Sequence, residues 1–282
     1  MKFVLITYHL SLFLLTFSNA KHKSYGSKLA RADQFPFVVS LSYNNREYCG
    51  ASIIHERWIL TAAHCLFKHD EEYGYLTDDT MVTTRSGITY KMKNLYKHPD
   101  FILIPEEENE VSNIYIIMVI MGTENEILYK GMEYVVNDIG LIRLSHNISF
   151  NDKVQPVTLA TMKDGSYENV TATLPGWGRT SYGDHSHKYL RYITVRVLAH
   201  AECRRAWTYA DKHICTSTRE KQGACYGDSG SPLVVGNIQI GVTSTADTYC
   251  EALKPDLYTK VASFVPWIKR IMSHYGDILP DL

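Results

Sequence analysis

Short runs of strand-forming residues, each closed by turn residues, restrict what this chain can fold into more than any other feature. They read FPFVVSLSY (35–43), ASIIHERWILTA (51–62), ITYKMKNLYKH (88–98), IGLIRL (139–144), YLRYITVRVL (189–198), SPLVV (231–235) and IQIGVTST (238–245). Several alternate apolar and polar residues, the period of a strand with one buried face. Many short strands with polar turns point to β-barrels or a sandwich. One segment repeats at helical spacing: in VASFVPWIKRIMS, near the C-terminus, Val261, Phe264, Val265, Ile268, Ile271 and Met272 share a face. Pro266 restricts that helix to one beginning close to it. No internal repeat of the solenoid kind is present.

With 282 residues, 45% of them hydrophobic, the chain can bury one large or two small cores. A net charge of −1 excludes the basic field that nucleic acid or an acidic membrane surface would require. Residues 1–20, MKFVLITYHLSLFLLTFSNA, have a positive start at Lys2, an apolar run and small residues at their end. This is the pattern of a cleaved secretory signal. The competing reading, a membrane anchor, is weakened because Thr7, His9 and Ser11 interrupt the run and it is short for a spanning helix. The mature chain is therefore expected to be extracellular, in an oxidising compartment.

Six cysteines, Cys49, Cys65, Cys203, Cys215, Cys225 and Cys250, suit three disulfides whose connectivity spacing alone leaves open. No pair has the C-x-x-C spacing of a zinc or redox site. His98, His185 and His187 are expected at the surface rather than around a metal, and no cofactor is expected. Asn147 and Asn169 head N-x-S/T triplets and are candidate glycosylation sites.

Three segments carry reactive residue types: TAAHC with His64, NDIGLIRL with Asp138, and GDSGSP with Ser229. A serine hydroxyl is a poor nucleophile at neutral pH until a base takes its proton. Imidazole can accept and return that proton, and a buried carboxylate fixes its tautomer. The order His, Asp, Ser is one in which such triads occur. The amides of Gly227 and Ser229 are candidate donors to an oxyanion, and Gly227 has no Cβ to oppose that backbone geometry. Asp100, in HPDF, competes for the acid role. Asp138 is preferred because the apolar strand IGLIRL that follows it would bury a carboxylate.

These motifs stand in a longer series: QFPFVVSL, CGASII, WILTAAHC, HPDF, NDIGLIRL, VQPVTLA, PGWGRT, HICT, GACYGDSGSPLV and PDLYTKVASFVPWI. In this order they resemble the chymotrypsin/trypsin family of secreted serine endopeptidases, and within it the chymotrypsin-like enzymes of arthropods. The resemblance spans residues 24–275 and implies two perpendicular six-stranded antiparallel β-barrels, with the triad between them, and a C-terminal α-helix. It pairs Cys49 with Cys65, Cys203 with Cys215, and Cys225 with Cys250. It implies polypeptide substrates and protein protease inhibitors as partners, and a monomer. It makes Gly223 and Ala224 the floor of the specificity pocket and Ser244, Ala246 and Asp256 part of its walls. Residues 21–23 become a short propeptide cut after Lys23, so that the new amine of Ser24 could pair with Asp228; residues 276–282 are a tail.

The chain departs from the family pattern at three places. Ser24 and Tyr25 replace the apolar start whose burial helps order an active enzyme; a lost isoleucine side chain forfeits about 1.5–3 kcal/mol. Ser231 stands where a second glycine is usual; a positive φ there would strain it, whereas a need for mere smallness would not. His64 and Asp138 are 74 positions apart, against about 45 in the worked triad template. The excess, about residues 103–136, includes the uncharged run IYIIMVIM. It reads as a retained intron, a gating or membrane-touching loop, or an extension of the core. Two functions compete: an active endopeptidase cutting after large apolar residues and secondarily after Arg or Lys, and an impaired homologue acting as a binding or decoy module.

Overall fold

The computed structural model describes residues 27–43, 46–66, 80–105, 132–179, 187–207, 210–218, 223–246 and 254–279. The signal segment, Ser24, His185, Cys250 and the run IYIIMVIM lie outside them.

The strands of the first half are β1 (Lys28–Leu29), β2 (Val38–Tyr43), β3 (Arg46–His55), β4 (Trp58–Thr61), β5 (Thr80–Thr83), β6 (Thr89–Lys97), β7 (Ile102–Pro105), β8 (Met132–Val136) and β9 (Gly140–Leu144). Those of the second half are β10 (Thr158–Leu159), β11 (Thr171–Gly176), β12 (Arg191–Arg196), β13 (His213–Thr216), β14 (Pro232–Val235), β15 (Ile238–Thr245) and β16 (Asp256–Lys260). Two α-helices are described, α1 (His200–Ala206) and α2 (Val265–Ser273).

A closed antiparallel barrel runs β2-β3-β4-β9-β6-β5. Leu41, Ile53, Ile59, Leu60, Leu141 and Ile142 are wholly buried in its cluster. The second ladder runs β1-β12-β11-β14-β15-β16-β13, with β10 alongside β15. Its open seam, between the ends of β12 and β13, is joined by a Val197–Thr216 bridge. Leu198 N–H donates to Cys215 O at 2.9 Å and Ser217 N–H to Arg196 O at 2.8 Å across the same seam. Two barrel-like layers are thus present, as expected.

Helix α2 follows the second barrel but packs on the first. Val265, Trp267, Ile268 and Met272 are buried in the cluster that holds Trp58 and Leu141. Beyond it, Asp277 Oδ2 accepts Trp58 Nε1–H at 2.8 Å, and the Arg143 guanidinium lies 4.2 Å from the Tyr275 ring centre. Chain from the end of the sequence therefore straps across the N-terminal barrel and holds the two halves together. Pro266 falls in the first turn of α2, where its missing N–H has no intrahelical role.

The excursion after HPDF begins and ends as a two-stranded hairpin, β7 with β8, in the register Ile102–Val136. Val135 O accepts a hydrogen bond from the second barrel, His213 Nε2, at 3.1 Å. Val136 packs on the cluster of Leu198, Trp207 and Leu257. The stem is therefore seated on the second barrel.

Cys49–Cys65 and Cys203–Cys215 are disulfides, as the resemblance implied. Cys225 is also disulfide-bonded, and its implied partner Cys250 lies outside the described residues.

Candidate active site

His64 opens a 3₁₀ turn, His64–Leu66, directly after β4, and the Cys49–Cys65 disulfide anchors that turn to β3. Its ring meets Asp138, which lies between β8 and β9. His64 Nδ1 and Asp138 Oδ2 are 2.7 Å apart, and His64 N–H donates to Asp138 Oδ1 at 2.9 Å. Ser244 Oγ–H donates to Asp138 Oδ2 at 2.7 Å, and Thr259 Oγ1–H to Asp138 O at 2.7 Å. Asp138 is wholly buried. A carboxylate out of water is tolerated when donors saturate it, and three address this one. With Nδ1–H engaged, the lone pair of the neutral ring falls on Nε2. Asp100 is exposed, and its N–H donates to His98 Nδ1 at 3.2 Å, away from this pair.

Ser229 is half-buried on the loop before β14. Its carbonyl accepts the Gly50 N–H at 2.7 Å, one residue from Cys49 of the disulfide. The His64 turn and the Ser229 loop are thus hung from the same stretch of β3. Among the described residues Ser229 Oγ has no hydrogen-bond partner. Asp228 N–H turns inward to Cys225 O at 2.9 Å, whereas the N–H groups of Gly227 and Ser229 have no internal acceptor among the described residues. Gly227 has φ 95°, which favours glycine. Ser231 is not among the described residues with positive φ, so it carries no backbone strain. It is wholly buried against Gly50, and its Oγ lacks a hydrogen-bond partner.

Asp256 is buried against the expected pocket floor. Its Oδ2 accepts Ala224 N–H at 2.7 Å, and a Cβ on Gly223 would lie 2.8 Å from that oxygen. Tyr258 also hydrogen-bonds it; burial first, then the Asp256 charge, push this phenol well above its usual range. The carboxylate is therefore satisfied locally, next to Gly223. Ser244, expected in the pocket wall, points its hydroxyl at Asp138; Ala246 is half-buried.

Asp228 Oδ1 accepts Gly178 N–H at 2.9 Å, and Oδ2 accepts Cys225 N–H at 3.1 Å. Burial raises its carboxyl to about 6 against the pull of these two bonds. A Cβ on Gly178 would fall 2.3 Å from Asp228 Cγ, so only glycine admits the carboxylate here.

A ring nitrogen of His64 and the sulfurs of Cys49 and Cys65 lie within 4.8 Å of one another. Both sulfurs are joined in the disulfide, which leaves no thiolate for a metal. His98 and His187 are half-buried. His98 packs edge-on against Phe264, and burial lowers its pKa. Asn147 and Asn169 are exposed, as glycan acceptors must be. The sequence named Ser244 only as a pocket wall and did not reveal its bond to Asp138, nor that of the Tyr258 hydroxyl to Asp256; neither contact has a local signature.

The chain matches the trypsin family over residues 25–268, and it belongs to that family. It is a trypsin-family serine protease, a hydrolase. Chymotrypsin-2 of Vespa crabro is 33% identical over 251 residues, 87% of this chain and 98% of the relative. Serine protease SP24D of Anopheles gambiae is 29% identical over 250 residues, 89% of this chain and 81% of the relative. The fold is shared with human heparin binding protein: TM-score 0.67, 23% identity, 89% of this chain and 98% of that one.

Proposed function

We propose that this protein is a secreted endopeptidase that cuts through an acyl-enzyme on Ser229. The observation that carries the reading is the double hydrogen bond between His64 and the buried Asp138 carboxylate, 2.7 and 2.9 Å. In this reading Ser229 Oγ attacks the scissile carbonyl while His64 Nε2 takes its proton. The tetrahedral oxyanion is met by the Gly227 and Ser229 N–H groups. The C–N bond then breaks, His64 returns the proton to the leaving amine, and water repeats the sequence to free the acid. Asp138 stays ionised throughout and stabilises the imidazolium. The lack of a Ser229–His64 hydrogen bond among the described residues accords with apo sites, where catalytic hydrogen bonds tighten on substrate binding.

Gly223 and Ala224 leave room for Phe, Tyr, Leu or Met, and the Asp256 charge beside Gly223 gives Arg and Lys a second-best fit. Secretion removes residues 1–20, and cleavage after Lys23 frees the Ser24 amine for Asp228. The secreted chain acts as a monomer on polypeptides and is open to protein protease inhibitors. No described helix is long and apolar enough to cross a membrane.

An organophosphorus active-site probe tests the reading on chain cut after Lys23. Labelling of Ser229, lost in Ser229→Ala and His64→Ala, is expected; silence of correctly cut wild type means an impaired, binding homologue. Asp138→Asn is expected to lower turnover about 10⁴-fold through the wrong imidazole tautomer, the magnitude known for the template triad. Asp100→Asn is expected to do little, since Asp100 is exposed and its contact with Asn137 is made by the backbone carbonyl, which the variant keeps.

A further inference from the structure

Asn137, immediately before Asp138, has φ 52°, a left-handed conformation uncommon in residues with side chains. It is only 7% exposed, and its side chain is held at both ends. Nδ2–H donates to Asp100 O at 2.7 Å, and Oδ1 accepts from Lys212 Nζ at 3.3 Å. Its carbonyl accepts Ile139 N–H at 2.9 Å, which makes a three-residue turn with Asp138 at the apex.

A carboxylate at such an apex does not take its direction from the pleat of a strand. Its aim depends on the backbone on either side. Downstream, β9 belongs to the closed barrel. Upstream, the chain arrives from the long excursion, and Asn137 is its last residue before Asp138. The bond from Asn137 to Asp100 joins positions 37 apart and closes the base of that excursion. From the second barrel, Lys212 holds Asn137 while its neighbour His213 holds Val135 at 3.1 Å. Entry to Asp138 is thus gripped from both barrels within three residues.

We propose that Asn137 is a positioning residue: its left-handed backbone and its two side-chain anchors, Asp100 O and Lys212 Nζ, hold the Asp138 carboxylate in register with His64. The proposal rests on the reading of His64 and Asp138 as the proton-handling pair. Productive geometry is lost over distances of about 1 Å, at a cost of about 100-fold in rate. A loosened Asn137 can therefore reduce catalysis without touching substrate.

The test compares Asn137→Gly, which keeps the positive φ and loses both anchors, with Asn137→Ala, which loses both features. Ile142→Val, a core change in the same barrel, is the control, and thermal unfolding confirms that each protein is folded. The first readout is the low-field proton resonance of the His64 Nδ1–H···Asp138 bond, recorded by NMR on the full chain in a Ser229→Ala background. It requires no activity, so it reads Asn137 even if the endopeptidase reading fails. The second is the split of kcat and KM on a peptide amide in the processed enzyme. Both Asn137 variants are expected to lose or shift the resonance and to lower kcat about tenfold or more, with KM within about twofold. Ile142→Val is expected to leave both in place. A folded Asn137→Gly protein with the wild-type resonance and unchanged kcat would overturn the proposal, as would losses matched by Ile142→Val.

Discussion

Gly50 donates its N–H to the carbonyl of Ser229 at 2.7 Å, and a Cβ on Gly50 would lie 1.9 Å from the Oγ of Ser231. One position on β3 therefore both tethers the Ser229 loop and makes space for the residue that departs from the family pattern. Ser231 is accommodated sterically, in an ordinary backbone conformation, but its hydroxyl is buried without a hydrogen bond.

Ser231→Ala should raise stability by about 1 kcal/mol, because it removes an unsatisfied buried hydroxyl and leaves the Cβ in place. Gly50→Ala should lower it by about 1–3 kcal/mol through overpacking. Combining Gly50→Ala with Ser231→Gly should recover much of that loss, since the closest clash is with the serine side chain. Denaturant unfolding of wild type, Gly50→Ala, Ser231→Gly and the double variant forms a double-mutant cycle. Strict additivity would mean that the two sites do not share this space.

Asp228 sets a pH dependence for the uncleaved chain. Its folded carboxyl titrates near 6, against 3.8 for the ordinary side chain. Because the folded value is the higher one, the unfolded chain releases this proton first as pH rises. The group's contribution is full below the unfolded value and is lost between pH 3.8 and about 6, about 3 kcal/mol over the window. An amine paired with Asp228 would favour the ionised form and remove that loss. Thermal unfolding from pH 4 to 6.5 should show a falling Tm for the uncleaved protein, and a flatter profile for Asp228→Asn and for chain cut after Lys23. A cut chain with the same decline as the uncut one would rule out the pairing with Ser24.

The excursion should be dispensable beyond its stem. Pro105 and Met132 are partners in the hairpin register, so a two-residue Asn-Gly turn can join them in place of residues 106–131. The shortened chain keeps Val135, Val136 and Asn137, the residues that touch the second barrel and the candidate acid. Its Tm should stay within about 4 °C of wild type, about 1 kcal/mol for a domain of this size. It should also aggregate less, since the apolar run IYIIMVIM is gone. Failure to fold would show that the excised residues carry part of a core.

The residues of the candidate site were legible where chemistry and local pattern coincide. His64 stands beside Cys65, Asp138 precedes the strand that buries it, and Ser229 lies in a glycine turn. Ser244 was not legible in its contact with Asp138, because its partner is 106 positions away and TST looks like any strand. The role of Gly50 was hidden for the same reason: its neighbour is Ser231, in another barrel. In the fold, ASIIHERWILTA reads as one run but divides into β3 and β4 at Glu56-Arg57, which carry no glycine or proline signal. Helix α1, HAECRRA, buries only Cys203 and so has no apolar face to reveal it. Strands β10 and β13 are too short to show a period.

In the proposed pocket, Asp256 is the residue expected to set which side chains are accepted. Its carboxylate lies against Gly223 and is satisfied by Ala224 N–H at 2.7 Å and by the Tyr258 hydroxyl. Those bonds let it remain without a cation, so an apolar side chain can fill the space above it. An incoming Arg or Lys would still gain from a charge held in low dielectric. Asp256→Asn keeps an acceptor for Ala224 N–H and removes the charge; Asp256→Gly removes both. Each should lower kcat/KM for Arg and Lys relative to Phe, Tyr and Leu at the cleaved position by about tenfold or more, equivalent to about 1.4 kcal/mol. Asp256→Gly should also cost about 1–3 kcal/mol of stability, because it strands the Ala224 N–H. A peptide-library profile of each variant measures the ratio directly. Cleavage after Arg and Lys that survives both substitutions would place the basic-residue determinant elsewhere, and cleavage only after small residues in wild type would mean that the pocket is filled rather than open.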